Sequence, residues 1–171
     1  MEGKFITFEG CEGVGKSRQI RLLEEYMKKN GIKYFLTREP GGTFLSEQIR
    51  NVILDKKNIE MSDECEALLY AAARAQLIKE KILPIKQSGE LVFCDRYIDS
   101  SFAYQGYARG LGIDFVKKIN SFALDNCMPD YTIFLNLPPE EAFKRKGGAD
   151  LGDRLETTGI EFHRKVYKGY L

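Results

Sequence analysis

The sequence predicts an α/β protein in which a parallel sheet is covered by helices on both faces. Short apolar segments rich in β-branched and aromatic residues alternate with longer segments whose apolar residues recur at helical spacing. A glycine-rich loop joins the first strand to the first helix, and no repeat or linker divides the chain. This alternation favours right-handed crossovers and a ligand site at the carboxyl ends of the strands.

The first part of the chain contains two strand-and-helix units. Residues 4–9 form a short apolar run that ends in glycines, which predicts a buried strand. A helix is predicted over residues 16–30, because its apolar residues have helical spacing and Gly31 suits a helix C-terminus. A second strand follows over residues 32–37, and a second helix over residues 45–54 comes after the turn-rich REPGGT.

The second part of the chain begins with a helix and then alternates strand and helix. Ser62 and Asp63 open a helical pattern that runs through residue 81, with acidic residues near its start and Pro84 near its end. The remaining predicted elements are a strand over residues 91–94, a helix over residues 114–126, and a strand over residues 131–137 that Pro138 and Pro139 close.

The composition of the chain limits the partners that it can bind and the cellular compartment in which it is expected. The chain has 171 residues, about the size of one domain, and its net charge of +1 gives no global field for nucleic acid or an anionic membrane. Its four cysteines lie far apart, which argues against a zinc site or a disulfide framework and favours the cytoplasm. No stretch approaches about 18 uninterrupted apolar residues, so no membrane span is predicted.

The loop after the first strand has the pattern of a phosphate-binding site. GCEGVGKS, residues 10–17, fits G-x-x-x-x-G-K-[ST] between a strand and a helix, where backbone amides can point at phosphate oxygens. We predict that Lys16 bridges the outer phosphates of a donor nucleotide and that Ser17 ligates Mg²⁺. The alternative is a glycine-rich turn without a ligand. The predicted donor-binding residues are Gly10, Cys11, Glu12, Gly13, Val14, Gly15, Lys16 and Ser17.

The third strand supplies a complementary pair of charges in LVFCDR. Asp95 ends this strand, where its carboxylate can hold the Mg²⁺ shell directly or through water. Arg96 follows it and is predicted to face a second anion. The alternative is that these two residues form a purely structural pair.

FEGCEGVGKS, TREPGGT, AAARAQ and DRYIDSSFAYQG, in this order and at these spacings, closely resemble thymidylate kinases, which move the γ-phosphoryl of ATP to dTMP. The resemblance runs from residue 4 to the end of the sequence. It implies a single domain over residues 1–171 with the three-layer P-loop kinase fold, a mobile lid at about residues 145–155, ATP and Mg²⁺, and a homodimer. Thymidylate kinases usually continue past a sequence like YKGYL into a fifth strand and a final helix.

The resemblance also assigns the acceptor site. It implies that Arg38, Arg50 and Arg96 surround the acceptor phosphate and that Glu39 orients the arginines or the metal shell. Arg74 would donate to a thymine carbonyl, and Tyr70, one helical turn earlier, would lie against the base. The alternative for Tyr70 is core packing.

The polar edge of thymine would be read by three further residues, Ser100, Ser101 and Gln105. The ring of Tyr104 would crowd the 2′ position of the sugar and disfavour ribose. For the two serines the alternative is helix capping.

The family pattern gives Glu12 a role at the acceptor sugar's 3′-hydroxyl or in the Mg²⁺ shell. Some relatives carry a P-loop arginine, but no arginine stands beside Glu12 here. The cation for the transition state is therefore expected from Arg154 in the lid, with Arg145 as second candidate. The alternative is a solvated surface loop. The histidine at position 163 is predicted to have a solvent or packing role.

Transfer would be in line, without a dedicated strong base, because a phosphate oxygen is already nucleophilic at neutral pH. Two rivals stay open. One is a P-loop kinase for a nucleoside or a different nucleotide, although a nucleoside kinase would have no use for three phosphate-binding arginines. The other is a nucleotide-dependent switch that transfers no phosphoryl group, although the sequence has no N-K-x-D guanine reader.

Overall fold

A computed structural model describes residues 2–145, 154 and 159–171. Four parallel strands form one sheet in the order β2-β3-β1-β4. The predicted lid, at about residues 145–155, lies outside the described residues except for its two arginines. The strands are β1 (Phe5–Glu9), β2 (Tyr34–Arg38), β3 (Leu91–Asp95) and β4 (Tyr131–Phe134).

Helices connect these strands. Thr43 begins the second helix by accepting a hydrogen bond from the Ser46 amide, and Ser62 begins the third by accepting one from the Cys65 amide. The described α-helices are α1 (Lys16–Lys29), α2 (Phe44–Leu54), α3 (Asp63–Leu77), α4 (Leu83–Gln87), α5 (Ile98–Ser101), α6 (Ile113–Ile119), α7 (Ser121–Asn126), α8 (Pro139–Arg145) and α9 (Ile160–Tyr170).

Three predicted boundaries are wrong. The helix expected to end at residue 81 continues through a π-helical turn into α4, because Pro84 lies in the first turn of α4, where a missing N–H costs little. The helix expected over residues 114–126 is divided at Asn120, whose side chain donates to the Val116 carbonyl. The last predicted strand ends at Phe134, and Pro139 opens α8. The helical segment from Ile98 to Ala108 was not predicted.

The sheet is packed on both sides, which confirms the predicted layered α/β class. Alternate residues of a strand point to opposite faces. On one face, Phe5 and Val92 pack with Leu77 and its helical neighbours. On the other face, Phe8 packs with Ile20 and other residues of α1.

This topology brings four strand ends to one edge of the sheet. Phe8 and Arg38 are both in register with Asp95, so the carboxyl ends of β1, β2 and β3 are level. The polar residues that follow these strands therefore meet above the sheet. None of the described helices has the length and apolar character needed to cross a membrane.

Candidate active site

A cavity of about 440 Å³ opens at this edge of the sheet. The P-loop forms one side of it, and residues from α2, α3 and the segment after β3 form the other. It thus joins the two sites that the sequence predicted separately. The predicted residues that line it are Glu12, Gly13, Gly15, Lys16, Ser17, Arg38, Glu39, Arg50, Tyr70, Arg74, Asp95, Arg96, Ser100, Ser101, Tyr104 and Gln105.

The P-loop backbone requires glycine at Gly10. Its φ is 140°, and a Cβ atom there would lie 2.8 Å from the Leu135 carbonyl oxygen. Lys16 turns back over the loop and donates to the carbonyls of Gly10 and Cys11 at 3.1 and 3.0 Å. Burial, followed by the charge of Arg96, lowers the pKa of Lys16 to about 8. Two carbonyl dipoles thus contact the amine directly, and the charge of Glu12 also favours its protonated form.

Cys11 and Val14 belong to the hydrophobic core beneath this loop. Cys11 is 1% exposed, and burial raises the pKa of its thiol to about 11. Of the predicted donor-binding residues, Gly10, Cys11 and Val14 thus shape the loop from behind.

Two oxygen donors at the cavity suit Mg²⁺. Asp95 is at the end of β3, and its Oδ1 is buried with no hydrogen-bond partner in the described part of the chain. Ser17 lines the same cavity from the first turn of α1. Within the described ranges no group of three or more His, Cys, Asp or Glu residues could hold a metal. A metal held by one carboxylate, one hydroxyl and substrate phosphates matches the preference of Mg²⁺.

Arg74 forms the buried wall of the cavity. Its Nε donates to Glu39 Oε2 at 2.8 Å, its Nη1 to Asn120 Oδ1 at 2.6 Å, and its Nη2 to the Tyr97 carbonyl at 3.1 Å. The side chains of Arg74 and Glu39 are only 1% and 3% exposed. Burial raises the pKa of Glu39 to about 7, and the charge of Arg74 opposes that rise. Arg74 is therefore an internal anchor as well as a cavity residue.

Arg96 connects the P-loop to the acceptor side. It has φ of 71°, a left-handed conformation that non-glycine residues adopt only under strain. Its Nη1 donates to the Gly10 carbonyl at 2.8 Å, and its Nη2 pairs with the Glu12 carboxylate. The guanidinium lies 5.3 Å from the centre of the Tyr104 ring. Among the described residues Arg96 pairs with Glu12 and not with Asp95, so the alternative of a structural Asp95–Arg96 pair is wrong.

The base side of the cavity contains unused polar atoms. Ser101 Oγ and Tyr104 Oη are buried and have no hydrogen-bond partner among the described residues. Gln105 donates to Glu66 at 2.9 Å. Ser100 bonds to Glu9 at 2.6 Å instead. Among the described residues no side chain caps α5 or the π-helical segment that follows it, so the helix-capping alternative for the serines is wrong.

Three other predicted acceptor residues line the cavity from the end of β2 and from α2 and α3. Arg38 donates to Glu47 at 3.0 Å and Arg50 to the Pro40 carbonyl at 2.8 Å. The Arg38 side chain is 49% exposed, so it can exchange Glu47 for another anion at small cost. Tyr70 lies one helical turn before the anchor arginine on α3.

The two lid arginines lie elsewhere in this structure. Arg154 donates to the Ile53 carbonyl at 2.8 Å and to Glu66 at 2.5 Å. Arg145 is exposed at the end of α8. Neither is among the described residues that line the cavity, and their catalytic roles stay predictions.

Some cavity residues were not predicted. His163 is 1% exposed and packs near the rings of Phe143 and Phe162, which agrees with the predicted packing role, but it also lines the cavity. Glu9 is 1% exposed at the end of β1, directly beneath the site. The signal that singled out Asp95, a carboxylate ending a buried strand, also marks Glu9.

Comparison with known proteins agrees with this geometry. The family model described as thymidylate kinase matches residues 8–171. The thymidylate kinase of Thermoanaerobacter sp. (strain X514) is 52% identical over 171 residues, which cover 100% of this chain and 83% of the relative. That of Clostridium novyi (strain NT) is 50% identical, with 99% and 83% covered. That of Bacillus pumilus (strain SAFR-032) is 53% identical, with 99% and 81% covered.

Proposed function

Since the chain belongs to the thymidylate kinase family, we propose that its cavity aligns dTMP with ATP through the residues described above. The reaction is transfer of the γ-phosphoryl of ATP to dTMP, giving dTDP and ADP. The observation that carries the assignment is one cavity lined by the P-loop lysine, three arginines suited to a second phosphate, and buried polar atoms that have no partner among the described residues. Such a cavity suits two charged nucleotides side by side.

On the donor side, Lys16 leaves the Gly10 and Cys11 carbonyls and binds the outer phosphates of ATP. Loop amides supply further donors, as does the start of α1. Ser17 and Asp95 would hold Mg²⁺, which neutralises phosphate charge.

On the acceptor side, the dTMP phosphate takes the place of present protein partners. Arg38 exchanges Glu47 for a phosphate oxygen, and Arg50 exchanges the Pro40 carbonyl. Arg96 turns its Nη2 from Glu12 to the phosphate, and Glu12 turns to the acceptor sugar's 3′-hydroxyl or the Mg²⁺ shell. Each charge-assisted bond contributes about 1.5 to 3 kcal/mol where it is buried, and less at exposed Arg38.

The thymine ring stacks on Tyr70 and meets polar groups at its edge. Ser101 Oγ supplies the strongest support, because it is buried without a partner in the described chain. Arg74 and Gln105 bind the base with the hydrogen-bonding capacity that their contacts to protein leave unused. Tyr104 crowds the sugar. A base with the wrong polar edge would leave these groups unpaired, which is a strong basis for discrimination.

Catalysis consists mainly of alignment and charge neutralisation. The attacking oxygen belongs to the dTMP phosphate and needs no strong base. Arg154, or Arg145, is the cation proposed to meet charge on the transferring phosphoryl group when the lid closes.

A second copy of the chain is the proposed macromolecular partner. Phe44, Leu45 and Leu68 are 81%, 46% and 52% exposed on α2 and α3. Apolar side chains in this number on adjacent helices suit a homodimer interface. Nucleic acid and membranes remain unexpected partners, and a cytoplasmic location stays a prediction favoured by four free thiols.

Turnover with three acceptors tests the assignment. Release of ADP is measured with dTMP, its uridine analogue dUMP, and thymidine, each with ATP and Mg²⁺. We expect dTMP to be preferred and thymidine to be inert. Preference for thymidine would favour a nucleoside kinase, and silence with every monophosphate would favour a nucleotide-binding switch.

A further inference from the structure

The buried carboxylate of Glu9 accepts four hydrogen bonds beneath the cavity. Its Oε1 accepts from the Tyr97 amide at 2.7 Å and the Ser100 amide at 3.3 Å. Its Oε2 lies 2.6 Å from Ser100 Oγ and 2.9 Å from Tyr170 Oη. These partners come from the segment after β3 and from α9, so one side chain joins three parts of the fold.

The same two hydroxyls also contact Arg96. Its Nη1 donates to Ser100 Oγ at 3.3 Å and to Tyr170 Oη at 3.1 Å. A hydroxyl has one hydrogen, and an ionised carboxylate can only accept. The two hydroxyl oxygens also lie 2.8 Å apart, so the hydrogen of either could point to the other. The ionised carboxylate of Glu9 attracts both hydrogens, and both oxygens then present lone pairs to Arg96.

Glu9 also holds the backbone of the turn. Arg96 has φ of 71°, and the next amide, that of Tyr97, is bound by Glu9 Oε1. A residue in the left-handed region persists only when its surroundings hold it there. The carboxylate thus fixes the turn that carries Arg96 and, through the two hydroxyls, the Nη1 side of the guanidinium.

We propose that Glu9 is a positioning residue for Arg96, acting through the hydroxyls of Ser100 and Tyr170 so that Nη2 is directed at the acceptor phosphate. This inference depends on the proposed role of Arg96 in binding that phosphate. Burial raises the pKa of Glu9, while the Ser100 hydrogen bond and the charge of Arg96 oppose the rise. These same contacts favour the ionised acceptor that the arrangement needs.

The test is the Glu9→Gln variant, which keeps the shape and puts an NH₂ donor on one side of the group. With the amide nitrogen toward the hydroxyls, they must accept from it and turn their hydrogens toward Arg96. Dissociation constants for dTMP and for thymidine are measured by calorimetry. We expect about tenfold weaker dTMP binding, the scale of one charge-assisted bond, with thymidine binding unchanged.

Two tyrosine variants on α9 make a matched pair. Tyr170→Phe removes one of the two hydroxyls and should weaken dTMP binding in the same direction by about threefold, a fraction of one hydrogen bond. Tyr167→Phe, one helical turn earlier, removes a hydroxyl that donates to Asn136 at 2.8 Å and should leave the ratio of the two constants unchanged.

Equal losses for dTMP and thymidine in Glu9→Gln would mean a merely structural role and would overturn the inference. If that variant does not fold, an unchanged ratio in Tyr170→Phe would overturn it instead. Arg96→Ala tests the proposed phosphate role of Arg96 separately from the role of Glu9. If dTMP binding is not weakened relative to thymidine binding in Arg96→Ala, the proposed phosphate role of Arg96 is wrong. If it is weakened in Arg96→Ala but not in Glu9→Gln, only the role of Glu9 is wrong.

Discussion

The wall around Arg74 and the junction around Arg96 each surround a guanidinium with several protein partners, yet those partners differ. Arg74 and Glu39 have side chains 1% and 3% exposed, and Asn120 and a backbone carbonyl complete the contacts. The Arg96 and Glu12 side chains are 14% and 31% exposed. A buried charge with fixed partners serves the fold, whereas one that is paired with a residue at the cavity mouth can change partner when a substrate arrives.

Arg154 in the lid would be a second arginine that exchanges a protein partner for substrate. If it leaves Glu66 for the transferring phosphoryl group, Arg154→Ala should lower kcat by about 10³ to 10⁵, with little change in KM for dTMP. Steady-state kinetics with ATP and dTMP measure this. Arg145→Ala is the matched variant, and an unchanged kcat in Arg154→Ala together with a large loss there would transfer the role to Arg145.

Arg74→Ala tests, through the stability of the fold, whether the partners of Arg74 are structural. Removing the guanidinium leaves the Glu39 carboxylate buried without its main partner, so we expect a loss of about 3 to 5 kcal/mol in the free energy of unfolding. Urea denaturation measures it. The exposed ion pair of Arg38 and Glu47 is the control, because Arg38→Ala should cost less than about 1 kcal/mol. Similar losses in the two variants would contradict the distinction between fixed and exchangeable arginines.

Arg96→Ala tests the exchangeable type through substrate use. We expect kcat/KM for dTMP to fall by the worth of a charge-assisted bond, about 1.5 to 3 kcal/mol, because the lost contact is to substrate. The loss of unfolding free energy should be smaller than in Arg74→Ala. A variant with normal kcat/KM for dTMP but strongly lowered stability would move Arg96 into the fixed class.

Lys16 lies between the two types, since it is buried and donates its hydrogen bonds to backbone carbonyls. Its pKa of about 8 is below the ordinary lysine value because of burial, so the ammonium loses its proton as pH rises through 8. Phosphates bind the charged form, and ATP affinity should therefore fall about tenfold between pH 7 and 9. Calorimetry should detect proton uptake on binding near pH 8. Equal affinity at both pH values would mean that the lysine stays charged.

The sequence was sufficient where function follows local spacing. The P-loop was predicted from its glycine and lysine pattern, Asp95 and Arg96 from their position at the end of a buried strand, and the other acceptor residues from family resemblance. The partners of the buried charged residues could not be predicted, because Arg74 meets Asn120 and Glu9 meets Tyr170 only through packing of distant segments. Pro84 shows the same limit, since a helix can restart at a proline once neighbours hold both halves.

Cys11 gives the P-loop a built-in chemical reporter. Its thiol is buried and protonated at neutral pH, whereas Cys65 is exposed on the first turn of α3. Alkylating reagents attack the thiolate of an accessible cysteine. Cys65 would therefore be modified at the rate of a surface thiol. Cys11 would be modified only when the loop opens, so its slower rate would measure how often the loop opens.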